Sequence, residues 1–260
     1  SEEMPEEEVL EEPIEEKLRR IIRTEVQALI AEVLGLKKHE VEVETRRMGG
    51  AFGGKETQGN HVAIWASLLA QKTKRPVKIR LFRDDDQKMT GKRHRYLTQY
   101  KVGYNNDGKI NAVDVVLNAD AGAATDLSMA VLERAMMHAE NSYYIPNMNI
   151  IGNAWFTNLP SNTAFRGFGG PQGMAGMEQV IDIIARNLGV DAAEIRKCNF
   201  YSENGSDLTP YDQKVNNNRL HIMYDELMES SDYNKRRKDI DSFNLSNEFF
   251  KKGMAITPVK

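Results

Sequence analysis

The hydrophobic positions of this chain change period along its length. Ile14, Leu18, Ile21, Ile22, Leu29, Ile30 and Val33 recur at three- and four-residue steps, with Glu and Arg between them, which predicts an amphipathic helix. Pro13 suits its first turn and Gly35 its C-terminal stop, while residues 1–12 read as a short helix or a frayed tail. From Val41 the period shortens: Val41, Val43 and Thr45 alternate with charged residues as a half-buried strand does. A helix near 59–73, with Val62, Trp65, Leu68 and Leu69, precedes a strand at 76–81. Strands at 96–104 and 109–119 flank Asn105-Asn106-Asp107-Gly108, a hairpin signal because Asp and Gly tolerate left-handed backbone. A helix near 173–188 ends at Gly189, and short helices follow near 191–198 and 217–230. A polar, weakly patterned stretch then runs to Ser246, and 253–259 reads as a strand. The sum is an α+β fold with a mixed sheet, long hairpin strands and surface helices.

Charge divides this picture further. The 260 residues carry a formal net charge of −3, yet residues 1–23 hold nine Glu against one Lys and three Arg. That stretch is −5, so the other 237 residues sum to +2. Residues 1–35 therefore read as an acidic amphipathic helical segment, built of strong helix formers like an idealised, engineered or added piece. Residues 36–260 read as the α+β domain. No apolar run approaches the roughly 20 residues of a membrane span, and no signal-peptide pattern opens the chain. The single cysteine, Cys198, excludes an internal disulfide, a cysteine zinc site and an iron–sulfur cluster within this chain. The near-neutral balance gives no case for nucleic acid, and the expectation is a protein of the reducing cytoplasm.

Two glycine-rich loops carry the candidate chemistry. Gly49-Gly50-Ala51-Phe52-Gly53-Gly54-Lys55 has the G-x-x-x-x-G-K spacing of a phosphate loop. Glu56 stands where that loop needs Ser or Thr, its charge would repel phosphate, and Thr57 comes one position late. The second loop, Phe165-Arg166-Gly167-Phe168-Gly169-Gly170-Pro171-Gln172, also precedes a helix. Such loops turn backbone N–H groups toward an anion or oxo group. Phe52 and Phe168 either plug into the core or stack on a flat ligand. From the residues alone, Glu56 equally suits the first turn of a helix, and Arg134 equally suits a solvated charge beside Glu133.

In sequence these loops are more than glycine patterns. Arg46 through Thr57 and Leu159 through Gln172, with Leu132-Glu133-Arg134-Ala135 between them, closely resemble the molybdenum-cofactor domain of the xanthine dehydrogenase family, from about Glu25 to Lys260. The resemblance implies one part of a molybdenum hydroxylase cofactor domain, with the reaction class of hypoxanthine and xanthine hydroxylation using oxygen from water. It implies that Phe52, Gly53 and Arg166 contact a molybdenum–molybdopterin cofactor held without a direct protein ligand to the metal. It also implies that Glu56 hydrogen-bonds the purine, that Phe168 stacks on it, and that Arg134 binds a purine oxygen and stabilises charge built up during attack. The charged pair Glu56 and Arg134 favours a hydroxypurine over a simple aldehyde.

The family's general base, a glutamate in a Gly-Val-Gly-Glu-type motif, is not found in this sequence, nor are its flavin and iron–sulfur domains. The expectation is thus a partial unit, inactive alone, that works with flavin and iron–sulfur domains or subunits and with the rest of the cofactor domain. Its uncovered apolar surface suggests partner chains or an oligomer. A non-catalytic or engineered scaffold that keeps the fold as a binding module is the alternative, and a phosphate-loop nucleotide protein a more distant one. Other features take plainer readings. The five histidines show no paired metal-ligand spacing, with His138 read as a packed helix residue. Asp84-Asp85-Asp86 reads as a solvated turn and Lys235-Arg236-Arg237-Lys238 as a solvated helix face.

Overall fold

The computed structural model describes residues 14–46, 49–50, 52–203 and 205–260. The expected tail at 1–12, Pro13, and Arg47, Met48 and Ala51 of the first motif lie outside the described residues. In chain order the elements are α1 (Ile14–Leu34), a 3-10 turn (Lys38–Glu40), α2 (Gly59–Thr73), α3 (Arg83–Met89), β1 (Tyr96–Tyr104) and β2 (Ile110–Gly122). There follow α4 (Ser128–Met137), β3 (Met148–Phe156), α5 (Gly170–Leu188), α6 (Ala192–Cys198), α7 (Leu220–Ser230) and α8 (Tyr233–Ser246). The α+β class expected from the sequence is the one observed.

The chain forms two compact units. The first comprises residues 1–94, 121–127 and 156–166, and the second 95–120, 128–155 and 167–260. In the first unit α1 packs on α2 and buries Val26, Ile30 and Ala31, three residues on one helical stripe. The helix stops where expected: the Leu36 N–H donates to the Ala31 carbonyl at 2.8 Å and Gly35 takes φ +67°.

The second unit is built on a three-stranded sheet in the order β1-β2-β3. β1 pairs antiparallel with β2 from Tyr96↔Ala119 to Tyr104↔Ile110, closed by a turn in which the Gly108 N–H donates to the Asn105 carbonyl. Contacts from β2 to β3 advance together along both strands: Val113 with Asn147, Asp114 with Asn149, Asn118 with Asn153. β3 therefore runs parallel to β2, and the sheet is mixed, with α4 as the crossover. Val113, Val115 and Leu117 of β2 alternate inward onto Leu132 and Ala135 of α4 and Met177, Ile181 and Ile184 of α5.

A polar knot fastens this core. Arg196, only 2% exposed, donates from Nε to Glu178 at 2.8 Å and from the guanidinium to Asp182 at 3.0 Å. Glu178 also accepts from Tyr143 Oη at 2.5 Å and Asn141 Nδ2 at 2.9 Å, so α5, α6 and the 141–143 turn share one carboxylate.

Several expectations are corrected. Residues 41–46 alternate in burial but join no ladder among the described residues; the side-chain amide of Gln27 donates to the carbonyls of Lys38 and Val41 at 3.0 and 2.7 Å. Residues 76–81 likewise alternate without pairing among the described residues. The 253–259 stretch is not a strand: Ile256 and Pro258 are buried, and Pro258 is held through its carbonyl by Asn141 at 3.0 Å. Asp84-Asp85-Asp86 is the first turn of α3, where carboxylates oppose the positive helix end, instead of a loop. The polar stretch before Ser246 is the helix α8; its Arg237 is not merely solvated but pairs with Asp191 at 2.9 Å.

Candidate functional site

The first glycine loop is shaped by its backbone. Phe52, Gly53 and Gly54 are consecutively left-handed, at φ +53°, +85° and +71°. Gly53 is required twice over, since a Cβ there would stand 2.4 Å from the Ala164 carbonyl oxygen. That approach brings the loop against the 162–166 segment, where the Arg166 N–H donates to the Phe52 carbonyl at 3.0 Å. The Arg166 guanidinium lies 5.6 Å from the Phe52 ring centroid, and Arg93 donates to the Arg166 carbonyl while sitting 4.5 Å over Phe165. Phe52 is 61% exposed, so its ring is presented outward and does not plug the core.

Among the described residues the N–H groups of Gly53 and Gly54 donate to no partner. Two unpaired donors beside an exposed guanidinium fit an anionic, oxygen-bearing group, as the phosphate and oxo atoms of a molybdopterin cofactor would be.

Glu56 lies three residues before α2, outside the helix, so it is not a first-turn acid. Its Oε2 accepts the N–H of its neighbour Lys55 at 3.0 Å, a contact within its own loop. The next two residues are anchored elsewhere. Thr57 Oγ1 donates to the Asp126 carboxylate at 3.0 Å, and Gln58 Nε2 donates to the same carboxylate at 3.0 Å. Thr57 is thus occupied within the fold, a further mismatch with a phosphate loop. Asp126 was not singled out in the sequence; it is 69 positions from Thr57, and only its place in a Gly-Ala-Ala-Thr-Asp turn before α4 hints at a role.

In the second unit, Arg134 and Phe168 belong to segments that glycine again packs together. Gly169, at φ +97°, sets its absent side chain 1.9 Å from the Val131 carbonyl oxygen of α4, and Gly173 does the same at Ala135. The backbone next to Phe168 is therefore pressed against α4, the helix that carries Arg134. The Phe168 backbone is also left-handed, φ +49°, and its ring is half-buried. Arg134 is exposed beside exposed Glu133 and makes no ion pair among the described residues.

One turn further, His138 packs toward Gly170. Its buried Nδ1 has no hydrogen-bond partner, and burial, with Arg134 and Lys260 nearby, lowers its pKa. Phe52, Gly53, Glu56 and Arg166 thus belong to the first unit, and Arg134 and Phe168 to the second. No group of three His, Cys, Asp or Glu side chains is arranged around a metal position among the described residues, and no described helix is long and apolar enough to cross a membrane.

The chain is similar to known proteins over most of its length. The chain is 45% identical over 237 residues to xanthine dehydrogenase of Dictyostelium discoideum, covering 91% of this chain and 17% of that protein. It is 47% identical over 234 residues to xanthine dehydrogenase 1 of Arabidopsis thaliana, covering 90% and 17%. The chain therefore spans about a sixth of the length of the curated relatives it matches. Among solved structures, aldehyde oxidoreductase from Desulfovibrio gigas aligns with a TM-score of 0.66 at 27% identity, covering 88% of this chain and 24% of that one. Quinoline 2-oxidoreductase from Pseudomonas putida 86 shares the fold, with a TM-score of 0.70 at 21% identity, covering 86% and 29%. A family model for the molybdopterin cofactor-binding domain matches residues 19–200, most of the chain, and by that match the chain belongs to the molybdopterin cofactor-binding domain family.

Proposed function

We propose that this chain lines the molybdenum centre of a xanthine dehydrogenase-type hydroxylase acting on a hydroxypurine, hypoxanthine or xanthine. The observation that carries the reading is Arg134: an exposed guanidinium with no ion pair among the described residues, on the helix against which the Gly169 backbone next to Phe168 is packed. An exposed cation without an ion-pair partner, with an aromatic residue on the segment packed against its helix, suits a flat ligand with a carbonyl oxygen. Glu56 adds an acceptor suited to a ring N–H.

The division of labour follows from these groups. Phe52, Gly53 and Arg166 hold the cofactor, through backbone N–H donors and one guanidinium. When bound, the molybdenum–molybdopterin cofactor supplies a two-electron oxidation that introduces water-derived oxygen at a ring carbon. By the family resemblance, Glu56 would accept a purine N–H, Arg134 would bind a purine oxygen, and Phe168 would stack on the ring. As the reaction proceeds, negative charge builds on the purine oxygen, and Arg134 stabilises that charge where it develops. No residue of this chain is assigned as general base. We take the electron acceptors to be flavin and iron–sulfur domains or subunits, the remaining cofactor contacts to come from further parts of the cofactor domain, and the compartment to be the cytoplasm.

The test is hypoxanthine binding by calorimetry, with molybdenum and pterin content measured on the same sample. Arg134→Ala is expected to weaken binding about tenfold or more, the loss of one hydrogen bond to a charged group. Equal affinity in the wild type and in Arg134→Ala overturns the reading and favours a non-catalytic binding module.

A further inference from the structure

Glu56 has a substrate role in the reading above but no anchor of its own. Its single described contact is with the N–H of the preceding residue, which rotates with the loop. α2 begins only at Gly59, so helical hydrogen bonds do not fix Glu56 either. What fixes this stretch is the pair of residues that follows, and both lead to one carboxylate.

Asp126 accepts from Thr57 Oγ1, 3.0 Å from each carboxylate oxygen, and from Gln58 Nε2 at 3.0 Å. Gln58 is buried, and its Oε1 accepts the Gly91 N–H at 2.6 Å. Gly91 is itself pressed against the chain: a Cβ there would lie 2.4 Å from the Ser161 carbonyl oxygen. Four backbone segments of the first unit, at 57–58, 91, 126 and 161, are locked through this chain of contacts. Asp126 makes its contribution from a left-handed backbone, φ +42°, a region that Asp tolerates better than most residues. Among the described residues no cation pairs with it, so its carboxylate serves neutral donors alone. Both bonds to this carboxylate are charge-assisted, and an amide there would lose that charge and reverse the bond to the Thr57 hydroxyl.

We infer that Asp126 is a positioning residue for Glu56, holding the two residues after it so that the Glu56 carboxylate keeps one orientation toward the purine. The inference rests on the hydroxypurine reading above.

The experiment is a double-mutant cycle on hypoxanthine affinity, using the purified full chain in the assembly in which it is isolated. The variants are Asp126→Asn, Thr57→Val, Glu56→Ala and the two combinations with Glu56→Ala. Asp126→Asn is expected to weaken binding about tenfold, and Thr57→Val to weaken it by a smaller factor. Neither change is expected to weaken binding further once Glu56 is alanine, because the group they position is gone. Thr57→Val removes only a hydroxyl and carries the test if Asp126→Asn does not fold. Unchanged affinity in both variants, with Glu56→Ala weakened, overturns this inference alone. The same loss in the Glu56→Ala background as in the wild type also overturns it, since that marks a general structural role. Unchanged affinity in Glu56→Ala, or no binding by the wild type, overturns the hydroxypurine reading and this inference with it.

Discussion

Gly169 has a left-handed backbone and lies where any side chain would enter the Val131 carbonyl. Gly169→Ala therefore combines backbone strain with a clash against an atom that cannot rotate away. We expect a loss on the order of 3 kcal/mol in a denaturant titration, with the α4–α5 contact loosened. A loss under about 0.5 kcal/mol, the range of ordinary surface changes, would show that the loop rearranges freely. At this scale the residues proposed for the site come from two long contiguous motifs: Phe52, Gly53 and Glu56 in one, Arg166 and Phe168 in the other. Asp126 was not readable, because a contact spanning 69 positions leaves no local pattern. The same holds for Gly91 and Gln58, whose residue types are unremarkable until the fold places them together.

Among elements, the legible ones have a strong period or a clear stop signal. α1 carries a sustained apolar stripe, α2 falls at the expected 59–73, and α5 ends at Gly189. The β1–β2 hairpin was announced by its turn residues. Alternation at 41–45 and 76–81 correctly marks which side chains turn inward, but a strand also needs a neighbour, which alternation cannot specify. β3 was hidden because Gly152 and two Asn interrupt its apolar run; the glycine makes room for Leu132 and Met136 of α4. α8 was hidden because it is largely polar and is fixed by particular contacts, Tyr233 and Arg237 to Asp191.

The knot at Glu178 was invisible for a like reason, since its members come from three elements. Glu178→Ala is expected to cost about 3–5 kcal/mol, because it leaves the Arg196 guanidinium buried with one fewer counter-charge. Replacing Glu178 and Arg196 together by leucine should cost less than the single change. If the double variant is instead the less stable by chemical denaturation, the knot contributes net stabilisation beyond charge compensation.

Across the whole molecule, buried phenols set an alkaline limit. Tyr96 and Tyr233 are pushed up to about 12 from an ordinary 10.0, by burial first and, for Tyr233, then by Asp191. Tyr143, Tyr201 and Tyr224 move the same way, each led by burial, with Glu178 adding to the effect at Tyr143. In each case the folded state holds the proton more tightly than the unfolded state. Their contribution is thus fully present below the unfolded pKa of about 10 and is lost as pH rises through the folded values. Unfolding free energy should fall above pH ~10, with tyrosinate absorbance rising together with loss of helical circular dichroism. Full tyrosinate absorbance from a chain that keeps its native circular dichroism would contradict this.

The interleaving of the two units has a practical consequence for anyone cutting the gene. The chain passes between the units five times, so no single break returns either one whole. A product ending at His94 keeps Phe52, Glu56 and Thr57 but forfeits Asp126 and Arg166, which arrive from later stretches to brace them. Minimal versions of this protein will have to be made by trimming the ends or by rejoining its pieces in a new order, because halving it dismantles both parts at once.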